Sequence, residues 1–459
     1  MTKFFLNKTF LLLVLLYSSF YAIGQNRLNH DSLINVIVNA NTLDDRINTY
    51  YQNIEFHTLS EKELKTFNSL LIEKVNPKEK NYFSLNTLLI EGLFYSNNHQ
   101  YDLAETALNE LIKRAGTDDI QLYMEGINGL IILYAFQDKF KKAIDFSDSI
   151  LIQHEGNLPP NSLGLLHQYR GAAFRAMDYL NISTKEFLIA DSLLPEKRDK
   201  VINYLDLATN YGSLKDYKTT ETYLKNASNL NQKLEDEYMH FHTQIEFGIL
   251  YQKQKKYQKS DSVLREALTY FKEINNEWAV FDVESELLTN STLKGENEIA
   301  INGFKKHLRS ELLEGDSLTI SLVHRDISEN YLQLKNGLIG QKYIDSALLF
   351  FQEENTLSEY ISILEVKQKL AKLNGNYLKS IMVYEEIDSL KRAKDLQSNF
   401  NRINELKYYY ETDKKEKENL LLKTEKAQIT QAKQKQFYQL LIGILILALG
   451  LVFVYLLFK

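Results

Sequence analysis

The stretch YLDLATNYGSLKDYKTTETYLKNASNLNQ, residues 204–232, decides the fold. Tyr204, Leu207, Ala208 and Tyr211 stand at i, i+3, i+4 and i+7, the stripe of an amphipathic helix. Lys215-Asp216 is a polar turn. Tyr217 then opens a second helix whose inward positions are Thr220, Leu224 and Ala227. Neither helix can bury its stripe alone, so the pair must stack on neighbours of the same kind.

Working outward, the scheme recurs. The next unit has Phe247, Gly248 and Tyr251 on a first helix, a turn at Gln254-Lys255-Lys256, and Tyr257, Ser260, Leu264 and Ala267 on a second. Tyr95, Tyr134, Phe174, Tyr211 and Tyr251 lie 39, 40, 37 and 40 residues apart, and Ser291, Tyr331 and Ala371 follow at intervals of 40. Six residues after each rung runs a second ladder: Tyr101, Phe140, Leu180, Tyr217, Tyr257, Asn297, Gly337 and Tyr377. One unit copied about eight times marks a solenoid, in which length counts units rather than globular domains. Gly92, Gly171 and Gly248 each stand three residues before a first-ladder aromatic. A glycine inside a helix costs about 1 kcal/mol against alanine, so its recurrence predicts close helix approach there.

The pattern resembles the tetratricopeptide repeat (TPR). Gly171, Phe174, Phe187, Ala190 and Pro195 stand at the family's spacing, and other units keep part of it: Gly92, Tyr95, Ala104 and Leu108; Tyr134, Phe140 and Ala143; Ala300 and Phe304; Tyr331, Ile344 and Ala347; Tyr377 and Tyr384. The period departs from the family's usual 34 residues, which keeps HEAT-type repeats as the structural alternative; the recurrent alanine of the second helix favours TPR. The resemblance covers roughly residues 81–390. It implies an all-α, TPR-like αα-hairpin solenoid, a right-handed superhelix with a concave, ligand-facing groove. By that resemblance, the first-helix positions facing the groove include Tyr169, Arg175, Asp206, Thr209, Glu246, Gln252, Arg325, Asp326 and Glu329. The ligand implied is a protein or peptide.

The flanks complete the expected domain plan. Residues 25–80 read as a helical cap, with a capping box at Ser60-Glu61-Lys62-Glu63. Residues 391–436 read as a long charged helix. Leu396, Phe400, Ile403 and Tyr410 keep a short seven-residue seam there, which allows a coiled coil and a homodimer. Residues 1–24 read as a signal peptide, with Lys3 and Lys8 before an apolar run and small Ala22 and Gly24 before Gln25; an uncleaved anchor is the alternative. Residues 437–458 form an apolar run long enough for a transmembrane helix. Together the two ends predict a single-pass inner-membrane protein, anchored by its C-terminal helix, with the repeats in the periplasm.

Composition narrows the chemistry. The chain carries no cysteine, which removes disulfides, thiolate nucleophiles and cysteine-ligated zinc. A net charge of −6 argues against a nucleic-acid partner. Of nine histidines only His240 and His242 are close, and residues two apart diverge on a helix. No phosphate loop, nucleophile elbow or metal motif occurs, so no enzyme activity, cofactor or metal is expected. The layout resembles the periplasmic TPR sensor part of membrane histidine kinases and LuxR-type regulators, without the output domain. The expected function is therefore protein or peptide binding in envelope signalling; the alternatives are a scaffold for envelope or secretion assembly and a truncated relative of such a sensor.

Overall fold

The computed structural model describes residues 30–40 and 60–395, apart from 117, 138, 155, 314–315 and 352–356, with isolated positions at 42, 46, 424, 426, 429–431 and 433–435. Helices α1 (His30–Asn39) and α2 (Glu61–Lys74) come first. The Ser60 hydroxyl accepts from Glu63 N–H and the Glu63 carboxylate from Ser60 N–H, so the predicted capping box forms.

Eight αα-hairpins follow among the described residues. They pair α3 (Lys80–Asn97) with α4 (Tyr101–Ala115), α5 (Ile120–Phe136) with α6 (Phe140–Gln153), and α7 (Pro160–Ala176) with α8 (Leu180–Leu193). Next come α9 (Arg198–Ser213) with α10 (Tyr217–Leu234), α11 (Glu237–Lys253) with α12 (Tyr257–Glu273), and α13 (Glu277–Lys294) with α14 (Asn297–His307). Last are α15 (Ser317–Gln333) with α16 (Gly337–Phe350), and α17 (Leu357–Leu373) with α18, helical over 377–395. The longer period goes into both helices: α11 and α12 each run 17 residues.

The six-residue offset between the ladders has a backbone cause. Each first helix ends in a Schellman turn. In hairpin four, Asp216 N–H donates to Tyr211 C=O at 2.9 Å and Lys215 N–H to Gly212 C=O at 3.2 Å, with Lys215 left-handed at φ 61°. Asp216 then caps the second helix by accepting from Thr219 N–H. The bond to the first-ladder carbonyl recurs in all eight hairpins at 2.8–2.9 Å, and the second-ladder residue always follows as the first of the second helix. Because the turn uses backbone groups, Ser291 and Ala371 can replace the aromatic without changing the spacing. The ladders are less uniformly core than expected: Tyr95, Tyr134 and Phe174 are buried, Tyr211, Tyr251 and Tyr331 half-buried, and Tyr377 exposed.

The predicted close approach is present. A Cβ on Gly248 would lie 2.7 Å from Leu264, and one on Gly92 2.7 Å from Leu108, so each glycine seats the leucine seven residues into the second helix. In hairpin six the exchange is reversed. Leu288 takes the glycine's place and Gly303, on the facing helix, makes room for it.

The inner-membrane, periplasmic placement is corrected. Among the described residues no helix is long and apolar enough to cross a membrane. The physical reason is the repeat itself: polar turns interrupt the chain after helices of 18 residues or fewer, and each helix keeps a charged outer face. The expected signal peptide at 1–24 and span at 437–458 lie outside the described residues, as does most of 391–436.

Candidate functional site

First helices touch one another from hairpin to hairpin, α3 on α5, α7 on α9 and α11 on α13, while second helices make no comparable mutual contacts. The stack of described hairpins therefore curves with the first helices on its inner side, and their side chains line that face.

The expected groove residues divide by depth. Arg175 at the end of α7 reaches across to α9, where its Nη2 pairs with Asp206 Oδ1 at 2.8 Å and its Nη1 donates to Asp206 C=O at 3.3 Å. Gln168 Nε2 donates to the other carboxylate oxygen at 3.4 Å. Both charged partners are sealed, at 5% and 1% side-chain exposure, and Tyr169 beside them is buried. Burial pushes the Asp206 carboxyl above its ordinary pKa, and the Arg175 charge opposes that. These groups brace two hairpins. Thr209, half-buried, donates to the Leu205 carbonyl of its own helix.

Further along, the same register is more open. Gln252, placed on α11 as Arg175 is on α7, donates to Glu286 Oε2 at 3.4 Å and Asn290 Oδ1 at 3.2 Å on α13. Glu246 is half-buried. On α15, Arg325 pairs with Asp326 at 2.5 Å and donates through Nη1 to Ser362 Oγ on α17 at 3.0 Å, with 18% and 23% of the charged side chains exposed. Burial raises the pKa of Asp326. Glu329 is raised first by burial and then by the Asp326 charge.

Glu286 belongs to this row and was missed by residue-by-residue comparison, because hairpin six lacks its aromatic rung. A signal was available: Asp206, Glu246, Glu286 and Asp326 lie at intervals of 40. Also missed were three fully buried asparagines, each one residue before a rung. Asn210 donates to Ser183 Oγ at 2.8 Å, Asn290 to Ser260 Oγ at 2.8 Å, and Asn330 to Thr292 Oγ1 at 2.9 Å, each tying a first helix to the preceding hairpin.

His242 is buried among Tyr238 and Phe271, with ring centroids 4.6 and 5.2 Å away, so it belongs to the core. Among the described residues no three His, Asp or Glu side chains gather as metal ligands do.

A chain built of stacked αα-hairpins closed by Schellman turns defines a helical-repeat protein, and the comparisons with known proteins specify which kind. No family model and no curated protein matches this chain. Among solved structures, a Rap protein complexed with Competence and Sporulation Factor is similar over 80% of this chain and 99% of its own, at 14% identity and a TM-score of 0.52. The apo form of RapI is similar over 80% of this chain and 98% of its own, at 13% identity and a TM-score of 0.50. A likeness at such identity speaks to fold alone, and the fold is TPR-like. The resemblance to sensor histidine kinases and LuxR-type regulators is not carried by these structures.

Proposed function

We propose that this chain is a non-enzymatic adaptor that holds an extended peptide or a partner helix against the first helices of hairpins five to seven. The observation that carries the reading is the row Glu246, Glu286 and Asp326, part-exposed at 40-residue intervals on the inner side, with Gln252 and Arg325 adding donors beside it. Convergent polar groups on rigid helices give orientation, and regular spacing suits a linear ligand that meets one hairpin after another. The likeness to a Rap protein solved in complex with Competence and Sporulation Factor supports binding as the use of the fold. Output would then pass through the bound partner rather than through chemistry on this chain.

The test begins with a random peptide display library panned against the full chain. A selected peptide is then titrated against the protein and its variants. Combining Glu246→Ala, Glu286→Ala and Asp326→Ala is expected to weaken binding by about tenfold or more, with the circular dichroism melt unchanged. Unchanged affinity in that triple variant would remove the assignment of this face.

A further inference from the structure

The last two hairpins carry a surface unlike the rest of the array. At the second residue of the second helix, six hairpins place Asp102, Lys141, Asn181, Lys218, Gln258 and Glu298, all polar. Hairpins seven and eight place Leu338 and Leu378 there, 77% and 71% exposed. Around Leu378, Tyr377, Ile381, Met382 and Tyr384 are each more than half exposed and form one stripe of α18. Tyr384 is the most telling of them. Seven residues after the second-ladder rung, every earlier hairpin buries its side chain, as Leu224, Leu264 and Ile344 do, because that position packs inside the stack. At Tyr384 the inter-hairpin interface continues in register and ends uncovered.

The opposite end of the array is closed. Helix α2 packs on α3, and α1 packs on α2. A second copy therefore cannot extend the stack head to tail through this face, because the matching end is occupied. Only a two-fold arrangement, in which the same patch meets itself, satisfies both copies. The exposed parts of these six apolar residues amount to roughly 700 Å² per chain, close to the ~800 Å² that each partner contributes to a standard interface. Asp388 and Arg392, an ion pair one and two turns beyond the stripe, supply a charged rim around an apolar centre.

We propose that hairpins seven and eight form a tail-to-tail dimer interface between two copies of this chain, centred on Leu378 and Ile381. The surface is separate from the inner row, so both copies keep that row free for a ligand.

Analytical ultracentrifugation of the full chain tests this. The wild type is expected to sediment at twice the 53.5 kDa chain mass. Leu378→Asp combined with Ile381→Asp is expected to sediment at a single chain mass, with unchanged circular dichroism. Ile152→Asp, at an equally exposed apolar residue of hairpin two, is expected to leave the doubled mass intact. A wild type at one chain mass would overturn the proposal, including the case where other residues of the same chain cover the patch. So would a double variant that still sediments at twice that mass.

Discussion

Hairpins three and four, set beside hairpins seven and eight, show one register used in two ways. Both regions place an arginine and an aspartate on the inner side of first helices. Between α7 and α9 the pair bridges two hairpins and is almost fully sealed. On α15 the pair lies within one helix, part-exposed, and the arginine reaches the next hairpin only through a serine hydroxyl. A sealed ion pair fixes how two hairpins stack. An open one leaves charge available to a ligand.

The largest expected effect breaks the sealed member. Arg175→Met leaves the Asp206 carboxylate buried without its partner and should cost about 3–5 kcal/mol in urea unfolding. Arg325→Met, with its partner part-solvated, should cost about 1 kcal/mol or less. Comparable losses would erase the distinction.

Helix approach offers the next contrast. A Cβ on Gly171 would lie 2.9 Å from the Phe187 ring, so Gly171→Ala should cost about 1–3 kcal/mol through overpacking. At the corresponding place in hairpin seven, Ser328 donates to Gly340 C=O at 2.9 Å, and Ser328→Ala should cost about 1 kcal/mol. Thermal melts of the two variants, compared at equal concentration, give the ranking.

Turn chemistry gives a smaller effect. Lys335 holds φ 57° where the next hairpin uses Gly375. Lys335→Gly should stabilise the protein by about 1 kcal/mol, because the left-handed conformation penalises a side chain. Chemical denaturation would show a loss instead if that turn were unstrained.

The smallest effect is a pH slope. His307 stands where Ala190, Ala227, Ala267 and Ala347 stand in other hairpins, stacked on Phe281. Burial holds its pKa below the ordinary 6.5, against the pull of Glu284. The unfolded chain therefore takes up that proton more readily than the folded one, and stability falls as pH drops below 6.5. His307→Ala should flatten this slope by at most about 1.4 kcal/mol per pH unit. An identical slope in the variant would show that His307 is not its source.

Much of the fold was legible because helix pairs must repeat their apolar stripe to be buried, and the stretch at 204–232 showed that stripe directly. The meaning of the six-residue offset was not legible, since a Schellman turn can be closed by lysine, histidine or aspartate as well as by glycine. The inner face was legible only as a set of positions. Whether Asp206 or Asp326 meets solvent depends on side chains arriving from the next hairpin, and those contacts leave no trace in local sequence. Glu286 shows the converse: register alone identified it once the missing rung of hairpin six was disregarded.

The central claim is that hairpins five to seven, rather than the sealed hairpins three and four, receive the ligand. Hydrogen–deuterium exchange of the full chain, with and without a display-selected peptide, tests it most directly. The account predicts that peptide-induced protection concentrates in α11, α13 and α15. Protection confined to α7 and α9, or to the second helices α12, α14 and α16, would contradict it.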